Sequence, residues 1–149
     1  MIYISHRGNT TGINKERENS PEYIQEAIDG GFLVEVDVWV TNSIPFLGHD
    51  KPQYEVKWEF LVERSTELIC HAKNQEALSY LTKKDMHCFA HDLDPFVVTS
   101  RGLTWAFPGE EKKGSIAVMP ESNDTNKYYM ECIGVIGICS DIIKTYRDT

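Results

Sequence analysis

Residues 32–50 read FLVEVDVWVTNSIPFLGHD. The stretch opens as an apolar run with Glu35 and Asp37 set into it. It turns at Thr41, Asn42 and Ser43, resumes over Ile44–Leu47, and ends in Gly48, His49 and Asp50. In a strand, residues two apart point to the same face. Glu35 and Asp37 therefore project together from a strand that is otherwise Val, Leu, Trp and Phe. Two like charges on one buried face are costly unless a cation lies between them. A divalent ion such as Mg2+ or Ca2+, bound through carboxylate oxygens, meets that need.

Upstream of this strand, Met1 to Ser5 alternates and is rich in Ile and Tyr, a short strand that ends in His6, Arg7 and Gly8. The polar residues 9–19 read as a loop. Ser20 and Pro21 then supply an N-cap and a first helical position. The helix over 22–29 turns Tyr23, Ile24, Ala27 and Ile28 inward, and Gly30 and Gly31 end it. Strand, helix and strand in this order imply a parallel pair joined by a right-handed crossover.

Downstream, Tyr54, Val56 and Trp58 suggest a short extra strand, and residues 67–72 a core strand. Asn74 caps a helix over 75–83 that turns Ala77, Leu78 and Leu81 inward. Strands are predicted at 86–90, 96–99, 103–107 and 115–119. Residues 128–132 read as a helical turn or a short strand, 133–139 as a last buried strand, and 141–146 as a terminal helix.

The chain of 149 residues suits one domain, 1–149, and its 41% hydrophobic and 26% charged residues are an ordinary globular mix. A full eight-stranded (β/α) barrel takes ~250 residues. The expected fold is therefore α/β, a reduced or incomplete TIM-type (β/α) barrel with several helices shortened or missing. A barrel completed by association is the alternative.

Net charge is -8, from 15 basic and 23 acidic residues, which argues against nucleic acid as a partner. No run approaches the ~18 apolar residues of a membrane span, and MIYISHRGN lacks the pattern of a signal peptide. An intracellular, cytoplasmic protein is expected, or a mature form whose leader has been removed. Cys70, Cys88, Cys132 and Cys139 are expected as small buried hydrophobes in a reducing compartment, because no Cys-x-x-Cys pair occurs.

Ionisable residues collect where the predicted strands end. His6 and Arg7 follow the first strand, and Glu35 and Asp37 lie in the second, with His49 beyond its continuation. His71 and Lys73 end the third, His91 and Asp92 the fourth, and Glu121 follows a later one. In parallel α/β folds the active site gathers at the carboxyl ends of the strands. Trp105 and Phe107, near another strand end, are candidates to line a ligand pocket or to pack the core.

Four short motifs follow in order: His6-Arg7-Gly8, Glu18-Asn19, Glu35-Val36-Asp37 and His49-Asp50. On these the chain resembles the glycerophosphodiester phosphodiesterases, within the wider group of phosphatidylinositol-phospholipase-C-like phosphodiesterases. The likeness is specific over residues 1–50. It continues weakly at His71-Ala72-Lys73 and at Gly137-Ile138-Cys139-Ser140-Asp141.

The resemblance implies a metal-dependent phosphoric diester hydrolase acting on a small-molecule phosphodiester. It implies His6 and His49 as an acid-base pair, since imidazole titrates near neutral pH. Glu35 and Asp37 would hold the metal, Arg7 would grip a phosphate oxygen with its planar fork, and Lys73 would add a second positive charge. Trp105 would contact substrate. Glu18 can pair with Arg7, and Asn19 is expected to shape the helix entry.

The chain also departs from the family. Its third acidic ligand appears here as His71, which shifts preference from Mg2+ or Ca2+ toward Mn2+ or Zn2+. Alternatively Glu121 or Asp92 supplies the missing oxygen. The interval from His49 to His71 lacks the insertion that helps the family recognise glycerol. Two further readings stay open: a lyase that forms a cyclic phosphate, and a non-catalytic protein that binds phosphate esters.

Overall fold

The computed structural model describes the chain from Met1 to Thr149. Its first half comprises β1 (Ile2–His6), α1 (Pro21–Asp29), β2 (Leu33–Thr41), β3 (Ile44–Leu47), β4 (Tyr54–Glu55), α2 (Trp58–Glu63), β5 (Leu68–Ala72) and α3 (Gln75–Lys83). Its second half comprises β6 (Cys88–Phe89), β7 (Phe96–Val98), β8 (Thr104–Ala106), β9 (Ser115–Val118), α4 (Lys127–Ile133), β10 (Gly137–Ser140) and α5 (Ile143–Asp148).

Parallel pairing runs β6-β5-β2-β1-β10-β9-β8, so the first and last parts of the chain meet at the β1-β10 pair. β7 adds to β8 antiparallel, and the β3-β4 arm leaves the far half of β2 antiparallel. No ladder joins β6 to β7. The gap is stitched by Ser100, whose N–H donates to the Cys88 carbonyl (2.8 Å) and whose Oγ accepts from the Cys88 N–H (2.9 Å). The sheet curls into an incomplete TIM-type barrel.

The alternation in β2 sets the two faces. Val34, Val36, Val38 and Val40 are fully buried on the outer face. There they pack with Ile24 and Ala27 of α1, Leu61 of α2 and Ala77 and Leu81 of α3 in a cluster of 16 buried residues. On the inner face, Ile4, Ile69, Phe89, Trp105, Ile116, Val118 and Cys139 close the barrel floor. A third cluster, with Met130, Val135, Ile138 and Ile143, seats α4 and α5 outside β9 and β10.

Several local expectations are corrected. Trp58 does not extend a strand; it opens α2, and only Tyr54–Glu55 pairs with β3. Residues 86–90 give a strand of 2 residues, Cys88–Phe89. The segment 128–132 is helical, and α4 runs on to Ile133, where Gly134 at φ 82 caps it. The last strand is accordingly shortened to Gly137–Ser140. Leu78 is exposed although its helix and N-cap stand where expected. Cys70, Cys88 and Cys139 are buried, but Cys132 is exposed on α4.

Helices back only part of the ring. None follows β6, β7 or β8, so the outer residues of β7, Phe96 and Val98, are 55% and 63% exposed. No helix is long and apolar enough to cross a membrane.

Candidate active site

The carboxyl ends of the strands open onto a cavity of about 500 Å3. His6, Arg7, Glu35, His49, His71 and Lys73 line it together. A second lobe of about 480 Å3 shares His6, Arg7, His49 and Met119 with the first and reaches Lys15, Glu18, Lys51 and Asp141.

Glu35 and Asp37 both point inward from β2 and are 3% and 0% exposed. Asp37 is clamped by Asn19, whose amide donates to Asp37 Oδ2 (2.9 Å) and accepts from the Asp37 N–H (3.0 Å). Asn19 holds a left-handed backbone, φ 64, while Ser20 accepts from the Tyr23 N–H as the helix cap. The expectation that Asn19 shapes the helix entry is thus too small a role. It is a buried partner of the acid, and Ser20 alone caps the helix.

Basic side chains surround the acids. Arg7 Nε lies 3.1 Å from Asp37 Oδ2 as an ion pair without hydrogen-bond alignment, and its far end is 3.4 Å from Glu18 Oε2. His71 Nδ1 lies 3.2 Å from Asp37 Oδ1 and 3.8 Å from Glu35 Oε1. Lys73 Nζ is 4.0 Å from Asp37 Oδ1. Burial pushes the Asp37 carboxyl up, but His71, Arg7 and Asn19 outweigh it and hold it at about 2. Glu35 goes the other way: burial, and then the charge of Asp37, raise it. Adjacent carboxyls are thus driven apart, as expected of like charges sharing one site.

Ligand atoms of Glu35, Asp37 and His71 lie within 4.8 Å of one another. Glu35 Oε2 and Asp37 Oδ1 are buried without a hydrogen-bond partner. Buried carboxylate oxygens rarely stay unpartnered, so this donor set fits a divalent ion. Glu121 does not join the cluster. Its Oε1 accepts from Ser140 Oγ (2.7 Å) and the Asp141 N–H (3.1 Å). Asp92 lines the cavity but is exposed.

His6 Nδ1–H donates to Asp141 Oδ1 (2.8 Å), which leaves Nε2 facing Glu35 at 3.7 Å. Burial alone would lower the His6 pKa, but the Asp141 hydrogen bond and the Glu35 charge outweigh it and raise it. His49 sits on the exposed hairpin side, 2.8 Å from Asp50, and burial and the Arg7 charge lower its pKa. The two imidazoles line both lobes and are shifted in opposite directions. Trp105, 2% exposed, belongs to the cavity floor.

Two residues of the site were not singled out from the sequence. Asp141 orients His6, and Asn9, fully buried, donates from one amide to both Asp141 Oδ1 (2.8 Å) and Glu18 Oε1 (3.0 Å). Asn9 thereby ties the carboxylate behind His6 to the carboxylate behind Arg7. Its place three residues after His6, in a polar loop, looked like ordinary turn chemistry.

No family model matches the chain, and no curated protein matches it by sequence. Among solved structures, it is similar to the crystal structure of a glycerophosphodiester phosphodiesterase from Parabacteroides distasonis ATCC 8503. The match covers 99% of this chain and 95% of that one, at 12% identity and a TM-score of 0.58. The fold is that of a glycerophosphodiester phosphodiesterase structure. The likeness supports the resemblance drawn on His6-Arg7-Gly8 and Glu35-Val36-Asp37 at the level of the fold. The chemistry is argued from the side chains.

Proposed function

We propose that the protein is a metal-dependent phosphoric diester hydrolase, similar in kind to a glycerophosphodiester phosphodiesterase, acting on a small-molecule phosphodiester. One observation carries this reading. Two buried carboxylates, Glu35 and Asp37, keep oxygens without hydrogen bonds beside His71, and Glu35 and His71 line the same cavity as His6, Arg7 and His49.

Glu35, Asp37 and His71 would hold the ion. When bound, a divalent ion polarises a phosphoryl oxygen and spreads developing charge. The imidazole among the ligands favours Mn2+ or Zn2+ over Mg2+ or Ca2+. Arg7 and Lys73 bring positive charge to the remaining phosphate oxygens, and Glu18 fixes the direction of the Arg7 fork. One of His6 and His49 takes a proton from the attacking water or hydroxyl, and the other gives one to the leaving alkoxide. Asp141 fixes which nitrogen of His6 faces the substrate. The whole chain acts as one unit in this reading. Its free thiols are in keeping with a cytoplasmic, reducing compartment.

A phosphodiester panel assayed with Mg2+, Ca2+, Mn2+ and Zn2+ in turn tests the proposal. Hydrolysis that requires an added ion and disappears in His6→Ala supports it. Tight phosphate-ester binding with no turnover under any ion would replace it with a binding role. Phosphorus NMR of the product separates hydrolysis from release of a cyclic phosphate.

A further inference from the structure

We propose that one alcohol group of the phosphodiester is a flat, unsaturated ring, seated on an aromatic wall built by β5, β6 and the end of β8. The inference rests on the phosphodiester reading and narrows its substrate class.

The cavity is two-faced. On one side stand His6, Arg7 and Glu35. On the other, rings follow one another without interruption. His71 stacks on Phe89, with centroids 4.9 Å apart and planes at 13°, and Phe89 meets Trp105 at 5.0 Å. His91 stacks on Phe107 at 3.8 Å and 21°, and lies 6.0 Å from His71. Phe89 and Trp105 are 4% and 2% exposed and form the base. His91 and Phe107 are partly exposed and line the cavity as a stacked pair.

Aromatic faces attract a second flat ring in offset or edge-to-face contact, beyond the area such a contact buries. A saturated polyol has no such face. A quaternary ammonium would also favour these rings, and Glu35 and Asp92 line the cavity beside Arg7 and Lys73, so phosphocholine is included in the test. With the phosphate held by Arg7 and Lys73, the ester oxygen directed at the wall carries its group onto His91 and Phe107.

The test is calorimetric titration of the Mn2+-loaded protein with four monoesters: phenyl, cyclohexyl and methyl phosphate, and phosphocholine. Phenyl phosphate is expected to bind about tenfold tighter than cyclohexyl phosphate, the worth of one stacking contact. The other two should bind more weakly still. The phenyl preference should collapse in Phe107→Leu and in His91→Asn, each checked for an unchanged circular dichroism spectrum. Equal affinity for phenyl and cyclohexyl phosphate overturns the flat ring, and tighter binding of phosphocholine overturns it in favour of a cation. Neither result touches the hydrolase reading, which stands or falls on turnover. A phenyl preference with no turnover of any diester keeps the wall and removes the catalyst.

Discussion

The half of the barrel formed by β1, β2 and β5 and the half formed by β6 to β9 are built differently. In the first, α1, α2 and α3 press on a continuous valine face, and the opposite face carries Glu35, Asp37 and His71. In the second, no helix backs β7 or β8, β6 has 2 residues, and the inner face carries rings. Burying two carboxylates beside Arg7, Lys73 and His71 demands a rigid support, because each misplacement leaves a charge uncompensated. The helix-backed half supplies it. The thin half needs only to hold apolar surface, which is tolerant of small shifts. The charged chemistry thus sits where the packing is deepest, and the shape of the substrate is read where it is shallowest.

The sharpest way to break this division is at the histidines. His6→Ala or His49→Ala should lower turnover about 100-fold to 10,000-fold, the usual worth of a general acid or base, with thermal stability close to wild type for His49→Ala. Diester activity that survived both changes would show that the charged half is not the catalyst.

Stability should divide along the same line. Leu81→Ala, beneath the valine face, is expected to cost about 2–5 kcal/mol in chemical denaturation, since it opens a cavity among fully buried neighbours. Phe96→Ser, on the uncovered face of β7, should stay within about 0.5 kcal/mol. Equal costs would mean that the thin half is not thin in solution.

Acid titration probes the two carboxyls separately, in metal-free buffer. Glu35 is raised by burial and by Asp37, so its ionised form costs stability at neutral pH, and that cost disappears as pH falls through its raised value. Asp37 is held at about 2, below its unfolded value near ~3.9, so its contribution is present above pH ~4 and lost as pH falls toward 2. That contribution is on the order of 2 kcal/mol. Stability should therefore rise and then fall on acidification. Glu35→Gln should abolish the rise and Asp37→Asn the fall.

A smaller effect on turnover is expected at Asn9. Asn9→Ala removes the amide shared by Asp141 and Glu18 and should cost about tenfold in kcat, more than in KM. A loss confined to KM would place Asn9 with substrate binding instead.

Much of this half-and-half design was readable from residue order, for physical reasons. The period-two placement of acids in an apolar run fixed the inward face of β2, and Asn74 and Ser20 marked helix starts where the structure has them. Trp58 misled because Tyr54, Val56 and Trp58 alternate like a strand, yet the extended Lys57 is the last residue before α2 and Trp58 stacks on Tyr80 of α3. Asn9, Asn19 and Asp141 escaped because their work depends on partners far along the chain. Asn19 meets Asp37 18 residues away, and Asn9 meets Asp141 132 residues away. No local pattern marks such contacts.

The β1-β10 pair has a consequence for how the molecule comes into being. His6 is made before Asp141, which aims it from 135 positions further along the chain. Until Gly137–Ser140 has been synthesised and has slotted in beside Ile2–His6, the imidazole has nothing to set its tautomer. A ribosome-bound chain stalled short of that point would already carry both acids and both histidines, yet His6 would lack the carboxylate that orients it.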